Sequence, residues 1–357
     1  MSANFEVLRD DLHQIRTVET PPLVPQTGEL VLRIEKFALT SNNITYGVAG
    51  DIIGYWQFFP AEGDWGRIPV WGIGEVTSSE HPNVEIGQRF YGYFPMSQEL
   101  VVKPEKVTQR GFADASEHRS ALPVVYNQYS LVSPENGFAP EFDNHTMVYR
   151  PLFTTSFVLD DYFADNEFFG ADTVILGSAS SKTAFGLAFM LQRRGGKKVV
   201  GLTSQGNKGF VENLGLYDEV LCYDEVEKLT REPSAYIDMA GNKDVLARVH
   251  HHLRDNLVNS CGVGITHWDA LQGEDPATLP GAAPTMFFAP SQIVKRNKEL
   301  GPEVYQQKIA AATTAFFALV DDWVSIQEAP LSNVEQVYRT VLNGPAPDIG
   351  YVVVSEL

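Results

Sequence analysis

Residues 172–208 read DTVILGSASSKTAFGLAFMLQRRGGKKVVGLTSQGNK, and this stretch decides the fold. It opens on Thr173-Val174-Ile175-Leu176, an apolar run long enough for a buried strand and too short for a helix. Gly177 breaks the run, and the small residues Ser178, Ala179, Ser180 and Ser181 follow. Over 183–191 apolar side chains recur at helical spacing (Phe185, Leu187, Phe189, Leu191), and Gly195-Gly196 stops the helix. Residues 199–202 supply another strand. Strand, tight turn, helix, strand is a βαβ unit, and its first turn aims N–H groups at the helix N-terminus, where a phosphate binds well.

The turn departs from the dinucleotide fingerprint G-x-G-x-x-G. Only Gly177 stands where a glycine is expected; Ser180, Ser181 and Thr183 hold the other loop positions, with Lys182 among them. A P-loop needs a glycine just before the lysine and one more residue after Gly177, so that reading fails. A phosphate-transfer site on Lys182 ranks last, because no Mg²⁺-binding motif lies beside it. Small residues still admit a close backbone, three hydroxyls can donate to phosphate oxygens, and Lys182 adds a charge. The competing reading is a structural βα turn of any α/β protein. At the end of the second strand no Asp or Glu stands ready for a ribose diol. Ser204, Asn207 and Lys208 stand there instead, a set that suits a 2′-phosphate, against the alternative of an ordinary polar loop.

The remaining composition bounds the class. At 357 residues the chain has room for two domains. Its 27 Lys+Arg against 45 Asp+Glu leave a net charge of −18, which argues against general affinity for nucleic acid or an anionic membrane. Cys222 and Cys261 make neither a disulfide framework nor a zinc site, and a buried structural role is expected for Cys261. The charged start MSANFEVLRDDLHQIR has no signal core and no run is long enough to span a bilayer, so a cytoplasmic protein is expected. His250-His251-His252 reads as a run on a helix surface, and adjacent helical residues do not share a face, so no metal is expected there.

The first 130 residues read as short strands with Gly/Pro turns: 29–39, 68–76, 84–93 and 99–104, with an aromatic loop carrying Tyr46, Tyr55, Trp56, Phe58, Phe59 and Trp65. In this order the chain resembles the medium-chain dehydrogenase/reductase superfamily, in its zinc-free quinone-reductase and enoyl-reductase branch. Asn42-Asn43-Ile44-Thr45-Tyr46 is similar to that family's Asn-Pro-x-Asp segment, 68–76 to its Pro-x-x-x-G-x-E strand, Ile86-Gly87-Gln88-Arg89-Phe90 to its V-G-D-R-V, and 97–104 to its A-E-Y strand.

The resemblance implies an α/β fold, with an N-terminal GroES-like β-barrel domain (1–150 and 311–357) and a Rossmann-type doubly wound parallel sheet (151–310). It implies NADP(H) as cofactor, because Ser204, Lys208 and Tyr223 match positions used by its NADP-preferring members. It also implies Thr155 as a carboxamide contact, with the helix starting at Thr154-Thr155-Ser156, and a homodimer. Residues 124–150 then read as an insertion that lines the active-site cleft or forms a dimer loop. Strands are expected at 234–241, 256–264 and 284–290, with Gly262, Gly264 and His267 near the nicotinamide and Phe287 and Phe288 in the core. A long helix at 306–323, another at 334–342 and a closing strand at 350–354 follow.

The implied activity is hydride transfer from NADPH to an activated C=C, a quinone or a carbonyl of a small molecule, with Tyr46 and Tyr55 as candidate proton donors. Packing aromatics are the competing reading of both tyrosines. The rival function is a nucleotide-binding sensor or structural protein on the same fold, without catalysis.

Overall fold

The structure, a computed structural model, describes residues 2–239, 241–263 and 278–355. Gly264 and His267 lie outside the described residues. In chain order the strands are β1 (Ser2–Leu8), β2 (Asp11–Thr20), β3 (Leu30–Leu39), β4 (Trp65–Gly66), β5 (Pro69–Ser79), β6 (Arg89–Pro95), β7 (Glu99–Val102), β8 (Pro104–Thr108), β9 (Gly111–Asp114), β10 (Gln128–Leu131), β11 (Thr173–Gly177), β12 (Lys198–Thr203), β13 (Glu219–Cys222), β14 (Ser234–Asp238), β15 (Leu257–Gly262), β16 (Pro284–Met286), β17 (Ser325–Pro330) and β18 (Ile349–Val354). The helices are α1 (Ser41–Val48), α2 (Gly50–Ile53), α3 (Asp143–Asp165), α4 (Lys182–Arg194), α5 (Lys208–Asn213), α6 (Lys243–Leu253), α7 (Ala289–Leu300), α8 (Pro302–Val320) and α9 (Val334–Leu342).

The chain forms two compact units, Met1–Val148 with Ser325–Leu357, and Tyr149–Val324. In the first, β17-β18-β3-β5-β6-β10-β9-β8 form a mixed sheet with β7 beside β3, and β2-β1-β4 form a smaller one. The apolar faces of β3, β5 and β6 are buried, with Leu30, Leu32, Ile34, Ile73 and Phe94 fully enclosed. Glycines let two of these strands approach closely: a Cβ on Gly72 would lie 2.7 Å from the Lys36 carbonyl. The expected insertion is not a free loop, because β10 pairs antiparallel with both β6 and β9 and so continues the sheet.

The second unit is built on β13-β12-β11-β14-β15-β16, all parallel. Numbered from its own first strand this is the order 3-2-1-4-5-6, the doubly wound order whose crevice opens outside the carboxyl ends of the first and fourth strands. Ile175, Val200, Leu202, Tyr236, Val249 and Leu257 make one of its cores. In another, Phe157 and Val158 of α3 pack on Tyr305 and Ile309 of α8.

Three further expectations need correction. The helix does not start at Thr154: α3 begins at Asp143 and runs through Pro151, and Thr154, Thr155 and Ser156 return hydroxyl bonds to the carbonyls of Arg150, Pro151 and Leu152. Phe288 is not in the core: β16 ends at Met286, and Phe288 is 60% exposed just ahead of α7, while Phe287 packs against the α3–α8 cluster. The histidine run is not all surface, because α6 turns its Val245, Val249 and Leu253 stripe inward and carries His250 with it, fully buried.

Candidate functional site

The crevice end of the second unit gathers most of the residues singled out for a nucleotide. Gly177 closes β11, and a Cβ there would lie 2.6 Å from the Tyr236 hydroxyl, so the glycine makes room for that buried ring. Ser178 follows at φ +53°, a left-handed conformation that a glycine would adopt without strain. Its side chain meets Tyr223, whose phenol burial pushes up to about 12. Ser181 caps α4, its hydroxyl accepting from the Ala184 N–H at 3.3 Å. The first-turn N–H groups of Lys182 and Thr183 have no carbonyl of their own helix to bond, which is what an anion at a helix N-terminus uses.

The second-strand loop folds against this turn. Asn207 Nδ2 donates to Ser180 Oγ at 3.1 Å, and Tyr217 OH donates to the Ala179 carbonyl at 2.8 Å. Ser204 is half-buried at the end of β12. Lys208 opens α5, and its ammonium lies 3.2 Å from the Glu225 carboxylate. Sequence reasoning did not single out Glu225. The signal for it was the E at the fourth position of Cys222-Tyr223-Asp224-Glu225, where its carboxylate closes a capping turn on the Cys222 N–H at 3.0 Å. Gly177, Ser180, Ser181, Lys182, Thr183, Ser204, Asn207, Lys208 and Tyr223 are therefore placed at one end of one sheet. Thr155 stands in the middle of α3 with its hydroxyl on the Pro151 carbonyl at 3.2 Å. Cys261 is buried, and burial pushes its thiol up to about 12, as suits a structural residue.

The first unit holds an aromatic cluster. Tyr46 on α1 and Tyr55 in the following 3-10 turn are buried, with ring centroids 4.6 Å apart. Tyr93 of β6 and Tyr126, just before β10, join them with centroids 4.8 Å apart. The Tyr55 and Tyr126 hydroxyls share a hydrogen bond of 3.1 Å, and Trp71 Nε1 donates to Tyr46 OH at 3.4 Å. Burial raises the pKa of Tyr46, Tyr55, Tyr93 and Tyr126 above that of a free phenol, so all four stay protonated at neutral pH. Among the described residues the buried Tyr93 hydroxyl has no hydrogen-bond partner, and Tyr126 is half-buried.

Behind this cluster lies a residue that sequence reasoning missed. Arg119 is 1% exposed and pairs with Asp114 at 2.8 Å. It also donates to Asn127 Oδ1 at 3.0 Å, to Tyr129 OH at 3.1 Å and to the Tyr126 carbonyl at 2.8 Å, and lies over the rings of Phe58 and Phe59. It thereby fixes the main chain that carries Tyr126. Within Asp114 to Tyr129 an Arg flanked by an Asp was the only trace of this, and such pairs are usually surface features.

Among the described residues no group of three His, Cys, Asp or Glu converges as a metal site, and no helix is long and apolar enough to cross a membrane. His250 is a satisfied core histidine: Nε2 meets Ser260 Oγ at 2.9 Å and Nδ1 meets the Pro280 carbonyl at 2.8 Å.

Comparison with known proteins gives this geometry a context. The family described as "Protein of unknown function (DUF2855)" matches residues 37–347. No curated protein matches. Among solved structures, CurA from Vibrio vulnificus in complex with NADPH is similar over 99% of both chains, at 16% identity and a TM-score of 0.67. The CurK enoyl reductase is similar over 99% of both chains, at 9% identity and a TM-score of 0.55. The yhdH oxidoreductase from Salmonella enterica in complex with NADP is similar over the whole of both chains, at 14% identity and a TM-score of 0.52. At these identities the likeness shows the fold alone, one unit built on a mixed sheet and one on a parallel, doubly wound sheet.

Proposed function

We propose, from the premise that the chain belongs to the DUF2855 family, that it is an NADPH-dependent reductase acting without zinc on an activated C=C, a quinone or a carbonyl of a small organic molecule. One observation carries this reading: the 3-2-1-4-5-6 sheet puts a serine-rich turn and the Ser204, Asn207 and Lys208 loop at the same crevice end, with no acid at the end of β12 to take a ribose diol. The likeness to CurA and yhdH, crystallised with NADPH and NADP, supports it.

In this reading the Tyr149–Val324 unit is the nucleotide unit. Gly177, Ser178 and Ser180 admit the pyrophosphate, Ser181, Lys182 and Thr183 present the α4 N-terminus and a charge to it, and Lys208 with Ser204 and Asn207 receives the 2′-phosphate. Tyr223, packed on Ser178, supports that turn. Thr155 is the carboxamide contact. Bound NADPH supplies the hydride. The Met1–Val148 unit supplies hydrogen-bond donors from its tyrosines. Phenols held protonated by burial are poor acids but good donors to an oxyanion that forms as hydride arrives. Tyr126, the partly exposed member of the cluster, and Tyr55, which shares a hydrogen bond with it, fill that role better than Tyr46, which is bonded to Trp71.

The reading also extends to a homodimer, for which the exposed Met286, at the end of β16, and Phe288, just past it, are the support.

The test is a titration of purified protein with NADPH and with NADH, followed by nicotinamide fluorescence. NADPH is expected to bind more tightly than NADH, and Lys208→Ala to weaken NADPH by at least about tenfold with NADH unchanged, the effect of one charge-assisted phosphate contact. NADPH oxidation over a panel of enones and quinones then reads the activity. Binding with no turnover on any acceptor would favour a nucleotide-binding protein without catalysis, and no binding of either cofactor would end the reductase reading.

A further inference from the structure

Glu225 has no role in cofactor binding as assigned so far, yet it touches the lysine on which the NADPH preference depends. It lies in the 3-10 turn Tyr223–Lys228, just past β13. Its carboxylate accepts from the Cys222 N–H at 3.0 Å, from Lys228 Nζ at 2.6 Å and from Lys208 Nζ at 3.2 Å. The Cys222 N–H first, then the two lysines, hold that carboxyl down to about 2, so it is charged at any working pH. Lys208, the residue assigned to the 2′-phosphate, is thus engaged by an internal anion.

We propose that Glu225 sets the strength of the preference for a 2′-phosphorylated nucleotide, by competing with the phosphate for the Lys208 ammonium. This rests on the NADPH reading of the same site. The ammonium is a single point charge with three donors, and one anion already lies on it. A phosphate brought to that ammonium meets the negative charge of Glu225 beside it, and two anions drawn to one cation repel each other. A cofactor ending in a 2′-hydroxyl brings no such charge. The carboxylate therefore costs affinity for NADPH and leaves NADH untouched. Asn207 and Ser204 are neutral and indifferent to this contest, and Asn207 is already tied to Ser180. The opposite role, a carboxylate that only orients Lys208 toward the phosphate, predicts the opposite sign: its loss would release the lysine and weaken NADPH.

Glu225→Gln separates the two. Glutamine keeps the length and an acceptor oxygen for the Cys222 N–H, and removes the charge together with the second acceptor, which meets Lys228. Calorimetric titration with 2′,5′-ADP and with 5′-AMP isolates the 2′-phosphate without any reaction at a nicotinamide. The ratio of the two dissociation constants is expected to shift toward 2′,5′-ADP by about fivefold in Glu225→Gln, the scale of a part-exposed ion pair. Glu225→Asp, which draws the carboxylate back by one methylene, shifts it the same way by less. In Lys208→Gln with Glu225→Gln the gain disappears, because the two residues act on one contact. A ratio that stays put or falls in Glu225→Gln, in protein whose wild type binds NADPH, overturns the competition and leaves the cofactor reading standing. A wild type that binds neither 2′,5′-ADP nor NADPH overturns both.

Discussion

Arg119 shows what a single buried charge asks of its surroundings. Guanidinium and Asp114 carboxylate are both 1% exposed, and the carboxylate also accepts from the Lys103 and Ser116 N–H groups. With four of the five guanidinium N–H groups bonded the pair is tolerable; with either member removed the other is an unpaired buried charge. Arg119→Met is therefore expected to cost about 3–5 kcal/mol in urea unfolding, and adding Asp114→Asn to recover some of it. A loss within the error of the measurement would mean the pair is already hydrated. His250 makes a second case. Burial, opposed by the bond to the Pro280 carbonyl, lowers its proton affinity below that of a free imidazole. The unfolded chain then binds a proton that the folded chain refuses, so stability is full above the unfolded value of about 6.5 and falls as pH drops below it. The urea midpoint should decline between about pH 7.5 and 5.5, and the decline should flatten in His250→Asn. Equal slopes in the two proteins would remove His250 as the cause.

At the scale of elements, α4 and α5 give opposite answers to one substitution. Gly186 lies on the buried face of α4, where an added Cβ would sit 2.8 Å from Ser156 Oγ, which is itself bonded to the Thr183 carbonyl. A Cβ added at Gly209 in α5 would meet nothing within 4 Å among the described residues. Alanine gains about 1 kcal/mol over glycine in a helix, so Gly209→Ala should stabilise by up to that amount. Overpacking costs about 1–3 kcal/mol, so Gly186→Ala should lower stability in spite of its propensity. Thermal unfolding of the two variants checks both signs. The same contrast explains what could be read in advance. The βαβ unit at 173–203 was legible because each element carries its own period and stops at glycines. The start of α3 was not: a start at Thr154 leaves Pro151 ahead of the helix, where a proline is at ease, and the helix instead runs through it from Asp143. The His250 burial was half-legible: the stripe of Val245, Val249 and Leu253 fixes a core face, but three adjacent histidines leave open which one lies at its margin. Tyr46 and Tyr55 could be singled out as a loop pair. Tyr93 and Tyr126 join them only through the pairing of β5, β6 and β10, which long-range register decides and no local pattern announces. Glu225 was missed for a related reason, since its ion pair with Lys208 bridges two separate βα crossings.

For the whole molecule the open question is whether one chain acts alone. Among the described residues β16 is an edge strand, three residues long, and it begins with Pro284. An edge that short, with a proline in it, offers few outward N–H groups and resists pairing with another sheet. Side chains are another matter: Met286 is 71% and Phe288 60% exposed, and Val294 on the next helix is 54% exposed. Two copies at a net charge of −18 each repel one another, so a dimer of this chain would be held by apolar contact against its own charge. That combination fixes the sign of the salt effect. Raising ionic strength screens the repulsion and leaves apolar burial in place, so association should tighten with salt, the reverse of an interface held by ion pairs. Sedimentation equilibrium is expected to give twice the 39.6 kDa chain mass, and Phe288→Glu to give the single mass with its melting temperature unchanged, because the residue contributes little to its own unit. A wild type at the single mass in high salt would remove the dimer. A Phe288→Glu protein that stays double would move the contact away from β16, and a dimer that loosens with salt would point to charged rather than apolar partners across it.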